Sequence, residues 1–256
     1  MSFTHKKFAQ VLNQYQYTFH TGDIIAGTIF SEETEGFLVD IGNQTAGYLP
    51  KAELFLTHIS SEDIKINETQ EFFILAHNLE AKQLILSLKR LKYIRAWDRI
   101  KQLKNEDITL EAHVRGSNKG GLLIEIEEIQ GFIPNSHLCY TTQNKKNFIN
   151  KNILCKFLVA DEQTNQLILS NRCAITEKLM QKIKVGDLIT AEVIKVTSFG
   201  IFFNIYSIPA LLHKSEIENA YSNNMNNIFS KGKKCALIIM HIDSKQGRIS
   251  VSMTRN

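Results

Sequence analysis

Leu84-Ile85-Leu86-Ser87-Leu88-Lys89, Leu167-Ile168-Leu169-Ser170-Asn171-Arg172 and Ile249-Ser250-Val251-Ser252-Met253-Thr254-Arg255 are three versions of one phrase. Each is a short apolar strand that closes on serine and a basic residue. Their spacing of roughly eighty residues turns a chain of 256 residues into an array of three small units. Each unit is near the small end of what folds alone. An array of small modules with no large catalytic domain points towards binding, not chemistry.

Read backwards from its closing phrase, the third unit is a run of short strands. Gly186-Asp187 opens a strand from Leu188 to Val196, in which Ile189, Ala191, Val193 and Lys195 alternate with Leu188, Thr190, Glu192 and Ile194. Phe199-Gly200 turns the chain into Ile201 to Tyr206, and Pro209 bounds a strand through Leu212. An Asn- and Ser-rich stretch, Glu218 to Ser230, precedes Cys235 to Ile242 and Arg248 to Ser252. Five short strands with turn signals between them predict a closed or nearly closed barrel, which removes sheet edges at this size.

The other units run the same course. Gly36 introduces Phe37 to Ile41, and Gly47-Tyr48-Leu49-Pro50-Lys51-Ala52-Glu53-Leu54 matches Ala210-Leu211-Leu212-His213-Lys214-Ser215-Glu216-Ile217. The second unit offers Gly120-Gly121-Leu122-Leu123-Ile124-Glu125-Ile126, then Gly131-Phe132-Ile133-Pro134-Asn135-Ser136-His137-Leu138. Glycine at the start of the second strand suits a sharp bend or a close backbone approach. Between units, Tyr93, Ala96/Trp97, Ile100 and Leu103 share a stripe at helical spacing, and Cys173 to Met180 is a shorter version. Trp97 reads as a packing anchor on that stripe, not as a base-stacking ring. The expected organisation is an extension over 1–20, units over 21–91, 107–172 and 185–256, and helical connectors over 92–106 and 173–184. The fold class is all-β, three tandem five-stranded barrels joined by short helical connectors.

Composition narrows the function. No apolar run approaches the roughly 20 residues that cross a bilayer, and the N-terminus lacks the apolar stretch of a secretory signal. The expectation is a protein with no membrane partner. Cys139, Cys155, Cys173 and Cys235 are scattered, without a CxxC pair or a histidine at ligand spacing, so free thiols are expected and no metal or other cofactor. No cluster of carboxylates suits two-metal chemistry, and no nucleophile–base arrangement stands out. An enzyme with a small-molecule substrate and catalytic residues is not expected. Charge is uneven. In the first unit Glu32, Glu33, Glu35, Glu53, Glu62, Asp63, Glu68, Glu71 and Glu80 help acids outnumber bases by about two to one. The third unit is basic, with Lys195, Lys214, Lys231, Lys233, Lys234, Lys245, Arg248 and Arg255. An acidic module repels phosphate and suits a protein partner, whereas a basic one attracts nucleic acid.

The third unit also carries a constellation absent from the others. Phe199 and Phe202 flank a glycine turn, His213-Lys214 follows an apolar strand, and His241-Ile242-Asp243 leads to Arg248. In a five-stranded barrel these positions converge on one face. The rings would stack bases, at about 1–3 kcal/mol per base and with tolerance for any sequence. His213 would stack or touch phosphate, Arg248 do either, and Asp243 orient Arg248 or accept from a base edge. Phe202 and Phe203 point to opposite faces of a strand, so one of them belongs to the core.

This constellation, with the threefold ending, resembles the ribosomal S-1 repeat, an RNA-binding barrel of the OB-fold class. The third unit carries the full pattern of Phe-Gly-x-Phe, Leu-His-x-Ser-Glu-Ile, then Asp followed by Arg-Ile-x-x-Ser. Arg95-Ala96-Trp97-Asp98-Arg99, Asn118-Lys119-Gly120-Gly121-Leu122-Leu123 and Gly131 to His137 resemble the three-repeat form of the small-subunit ribosomal protein S-1 family, found in cyanobacteria and plastids. So do Phe3-Thr4-His5-Lys6-Lys7-Phe8-Ala9 and Phe19-His20-Thr21-Gly22-Asp23. The resemblance covers nearly the whole chain. It implies Phe202 outside and Phe203 in the core, and an RNA site of Phe199, Phe202, His213, Lys214, Asp243 and Arg248. At the matching positions the first unit has Glu35, Leu38, Pro50, Asn78 and Gln83, and the second has Gly120, Leu123 and Pro134. The second unit would still meet phosphate through Arg115, Lys119, Lys145, Lys146, Lys151 and Lys156.

The family resemblance implies a constituent of the small ribosomal subunit that holds single-stranded messenger RNA and assists initiation, with subunit proteins as further partners. A free RNA chaperone or an accessory subunit of a ribonuclease are the alternatives. Richness in Lys, Asn, Ile and Phe with only three prolines suits an A/T-rich genome. The chain starts close to the family's N-terminus, leaving no room for a transit peptide. Both fit a plastid-encoded protein of the stroma, with a cyanobacterial cytoplasm as the alternative.

Overall fold

The computed structural model describes residues 18–42, 45–54, 65–78, 83–139, 145–217 and 225–253. Residues 1–17 of the expected extension, Glu62, Asp63, Glu80, the stretch 218–224 and Thr254-Arg255 lie outside them. The chain divides into two compact units, Met1–Arg99 and Ile100–Asn256. The first holds one barrel, the second holds two.

Among the described residues, fifteen strands close into three barrels. In the first, β1 (Ile24–Glu32), β2 (Gly36–Asp40), β3 (Gly47–Pro50), β4 (Thr69–Asn78) and β5 (Gln83–Ser87) are ordered β1-β2-β3-β5-β4. The second repeats that order with β6 (Leu110–Ser117), β7 (Gly121–Ile126), β8 (Ile129–Pro134), β9 (Asn152–Asp161) and β10 (Gln166–Ser170). The third does so with β11 (Leu188–Thr197), β12 (Gly200–Ile205), β13 (Ile208–His213), β14 (Lys234–Asp243) and β15 (Arg248–Met253). All neighbours are antiparallel except the closing pair of third and fifth strands, matched at Tyr48 with Ile85, Phe132 with Ile168, and Leu211 with Ser250.

Alternation drives closure: one side chain in two points inward and the rest face out. Ile29, Phe37, Leu49, Phe72 and Leu86 fill the first barrel, and Ile201, Phe203, Leu212, Leu237 and Val251 the third. Burying each such side chain contributes about 1.5–3 kcal/mol. Bulges in the first and fourth strands of every barrel bend the sheet onto itself, as between Val193 and Lys195 and between Ile239 and His241. The glycine that opens the second strand is required by close approach. A Cβ at Gly36, Gly121 or Gly200 would lie 2.6, 2.0 or 2.3 Å from the carbonyl oxygen of Leu49, Ile133 or Leu212.

The closing phrases are only partly strand. The fifth strands end at Ser87 and Ser170, and Leu88-Lys89 and Asn171-Arg172 already belong to helices α1 (Leu88–Asn105) and α2 (Asn171–Leu179). Both connectors therefore begin earlier than the expected 92 and 173, and α2 also stops short of 184. The serine is the reason, because its hydroxyl accepts a first-turn N–H, Arg90 to Ser87 at 2.8 Å and Cys173 to Ser170 at 3.0 Å. Tyr206 likewise falls in a turn, at φ 48°, instead of ending a strand. The Trp97 ring is fully buried with Tyr93 edge-on to it, which removes it from base stacking.

Each of these serines also bonds a short 3-10 turn that follows the third strand. Ser87 Oγ donates to Glu53 Oε2 at 2.6 Å, and Ser252 Oγ to Glu216 Oε2 at 2.9 Å. Ser170 Oγ meets His137 Nδ1 at 3.1 Å. The serine of the repeated phrase thus ties two non-adjacent parts of each barrel, and in the first two repeats also starts a helix.

Candidate nucleic-acid interface

The outward face of the third barrel is set by register. Lys195, Phe202, Leu211, Ser250 and His241 form one continuous row across β11, β12, β13, β15 and β14. Phe203, one residue on, is fully buried, so period-2 parity puts Phe202 outside and half-buried. Phe199, in the turn before β12, is 50% exposed, and its ring meets Phe202 edge-on at 5.9 Å and 87°. This T-shaped pair presents a rigid corner and leaves one face of Phe199 to solvent.

His213 ends β13 opposite Gly200, where no side chain obstructs it. The ring is exposed. Ser215 N–H donates to its Nδ1 at 3.3 Å and Ser215 Oγ lies 2.8 Å from the same atom, so the turn holds the ring by its Nδ1 edge. Lys214 is exposed, and its N–H donates to Phe199 O at 3.0 Å, which holds the His213-Lys214 segment against the aromatic turn. Arg248 is exposed at the start of β15, paired in register with Asp243. The Asp243 carboxylate accepts Gln246 N–H at 3.0 Å, so it shapes its own hairpin. The structure thus draws Phe199, Phe202, His213 and Lys214 together at the aromatic turn, and sets Asp243 beside Arg248 on the outer surface of the neighbouring hairpin. His241, named with the constellation but given no role in it, and Lys195, expected only as part of the basic surface, are exposed as well, and the bulged register sets His241 beside Ser250 and Lys195 beside Phe202.

The same positions in the other barrels can be matched by hydrogen bond as well as by register. Lys51 N–H donates to Glu35 O at 2.9 Å and Asn135 N–H to Gly120 O at 2.8 Å, the counterparts of the bond from Lys214 to Phe199. Leu38 and Leu123 occupy the Phe202 position, Pro50 and Pro134 the His213 position, and Asn78 with Gln83 the Asp243–Arg248 position. Neither of these barrels has the Phe199–Phe202 pair there; the half-buried rings of Tyr48 and Phe132, from the third strand, lie over the opening glycines instead.

The model of the S1 RNA binding domain matches residues 18–89 and 182–254, the first and third barrels. The chain is 44% identical over 98% of its length to the small ribosomal subunit protein bS1c of Pyropia yezoensis, covering 96% of that protein. The chain belongs to the small ribosomal subunit protein bS1 family. Another member, the bS1 protein of Synechococcus sp., is 39% identical over 98% of the chain and 82% of its own length. The bS1c protein of Spinacia oleracea is 31% identical over 98% of the chain and 62% of its own. The sequence similarity to these three members thus extends over nearly the whole chain.

The second barrel's basic residues are not equivalent to one another. Lys119, Lys146 and Lys151 are exposed. Arg115 is exposed but bonds both oxygens of Glu125, at 3.0 and 2.8 Å, and the pairing raises its already high pKa. The Lys145 amine holds the Asn118–Lys119 turn and Asn135. Lys156 departs most from its expected role. It is 6% exposed, and its amine lies 2.8 Å from Asp107 and 3.0 Å from Glu177, so it is part of the packing and not of a phosphate track. Burial works against its charge, and the hydrogen bonds to Asp107 and Glu177 outweigh burial and raise its pKa. Among the described residues no group of three or more His, Cys, Asp or Glu is placed to hold a metal ion. None of the four cysteines forms a disulfide, and burial pushes the Cys139 thiol up to about 11. No described helix is long and apolar enough to cross a membrane.

Proposed function

We propose that this bS1 chain holds single-stranded messenger RNA on the small ribosomal subunit and assists initiation, acting by binding and not by catalysis. The observation that carries the reading is the half-exposed Phe199 ring set edge-on to Phe202 beside the exposed His213. Bases stack on Phe199, Phe202 and His213, while Lys214, Arg248 and Lys195 meet phosphates. Stacking of this kind selects single strands without selecting sequence. The second barrel extends the track electrostatically through Lys119, Lys146 and Lys151. The first barrel, with Glu32, Glu33 and Glu35 exposed around the site that elsewhere stacks, faces a protein of the subunit. The nearness to plastid bS1c proteins supports the plastid stroma as its place of work.

The test is a titration of the full chain with a fluorescent single-stranded oligonucleotide, together with co-sedimentation with small subunits. Phe199→Ala with His213→Ala is expected to weaken RNA binding by at least tenfold, on a scale of about 1–3 kcal/mol per stacked base. Unchanged affinity would overturn the stacking site. A parent chain that binds RNA but never sediments with subunits would favour the free chaperone.

A further inference from the structure

Between the second and third barrels, the start of α2 meets the hairpin that joins β14 to β15. Arg172 Nη2 donates to Gln246 O at 3.1 Å, and Cys173 Sγ lies 3.2 Å from Lys245 O. Gly247, at φ 62°, lies so close that a Cβ there would come within 3.0 Å of Arg172 Cγ and 3.1 Å of its Nε. Arg248, the next residue, starts β15 on the RNA face. From the second barrel, His137 reaches the same seam by bonding Ser170, two residues before Arg172.

Three basic side chains therefore gather where two barrels touch. The arrangement is costly as it stands, since burial and the positive charges of Arg172 and Arg248 hold the His137 imidazole below its ordinary pKa. Burial, with Arg248 acting in the same direction, also lowers the pKa of Arg172, and Arg172 Nε is buried with no hydrogen-bond partner. Where the first and third barrels place Glu53 and Glu216 against the repeated serine, the second places His137. The position that would supply a carboxylate to this cluster holds an imidazole instead. The cavity of about 390 Å³ lined by Lys104, Lys156, Phe157, Cys173 and Lys245 differs in this respect, because Asp107 and Glu177 already neutralise Lys156.

We propose that the seam formed by Arg172, Arg248 and His137 is a phosphodiester site, which takes a backbone phosphate of the RNA as the strand passes from the third barrel to the second. This rests on the RNA-binding reading of the third barrel and extends it. Arg248 serves both the stacking face and the seam, so the track is continuous. The phosphate supplies the negative charge that the seam lacks and meets Arg172 at the exposed outer end of its guanidinium, while Nε stays buried.

The test uses the full chain with RNA oligonucleotides of about 5 and about 20 nucleotides, since one barrel of this class spans about 4–16 nucleotides. Arg172→Gln removes one charge. It is expected to weaken the 20-mer about tenfold, to reduce the slope of log affinity against log salt by about 0.7, and to leave the 5-mer within twofold. His137→Glu, which installs the residue type of the other two repeats and leaves the bond between Arg172 and Gln246 in place, is expected to weaken the 20-mer at least as much. Parent-like 20-mer binding by both variants, or equal loss for both oligonucleotides, would overturn the seam site. Phe199→Ala is the separate control. Failure of that change to weaken the 5-mer would overturn the stacking face and leave the comparison of Arg172 variants to stand by itself.

Discussion

At the scale of the residue, neighbours in sequence have opposite tasks. Phe202 and Phe203 differ by one step along a strand, yet one lies on the outer surface, where RNA is proposed to bind, and the other in a core that excludes water. Phe203→Ala should therefore cost about 3–5 kcal/mol of stability through the cavity it leaves. Phe199→Ala should shift the melting midpoint little while weakening RNA binding. Thermal denaturation of the two variants side by side checks the contrast, and a Phe199→Ala protein as unstable as Phe203→Ala would mean that its ring is packing after all. This parity was legible in the sequence because alternation survives translation into a barrel. The roles of Ser87, Ser170 and Ser252 were not. Each recurs as the last letter of an apolar strand, but its hydroxyl acts on a turn more than thirty residues away, a pairing that only the closed barrel creates.

At the scale of the element, α2 explains why Lys156 was misread. Its position on β9 opposite Ser170 looks like an outward strand position, and outward lysines normally meet solvent. In this barrel α2 packs across β9 and brings Glu177 onto the amine, while Asp107 approaches from the end of α1. A face can be outside a barrel and still inside the protein. The pH consequences follow from the directions of the shifts. The Glu177 carboxyl is lowered, first by the Thr109 hydroxyl and then, against burial, by Lys156. A lowered carboxyl contributes stability that is complete above its unfolded pKa, near 4, and is lost as pH falls through the folded value. Lys156, being raised, loses its contribution only as pH rises through its folded value, above the ordinary lysine range. Glu177→Gln should thus destabilise the protein at pH 7 and make little difference near pH 2. Denaturant melts at the two pH values check this, and a penalty that persists undiminished in acid would show that Glu177 acts by shape and not by charge.

At the scale of the whole molecule, three copies of one barrel have kept the scaffold and divided the surface. The scaffold is what sequence conveys best, since strand order, the opening glycine and the closing serine recur in all three. The surface is conveyed only where a residue type changes at a matched position, as with Phe199, Glu35 and Gly120. It fails where two barrels meet, because the neighbours of Arg172 come from residues some seventy positions later. A division of this kind makes binding to RNA and binding to the subunit separable. The acidic first barrel has Glu35 where the third has Phe199 and Pro50 where it has His213, and its exposed Lys51 is drawn to Glu32 at 3.0 Å. A strand of phosphates gains little there and meets repulsion from Glu33 and Glu35. A chain beginning at Leu88 should therefore keep its affinity for a single-stranded 20-mer within about threefold, with an equal or steeper salt dependence, since acidic surface has been removed. The same chain should no longer co-sediment with small subunits stripped of messenger RNA. If it still sediments as the full chain does, the second or third barrel carries the ribosomal contact, and the acidity of the first must be explained by something other than a protein partner. If instead it loses RNA, the first barrel lies on the track despite its charge, and the matched-position argument that separates the three surfaces fails with it.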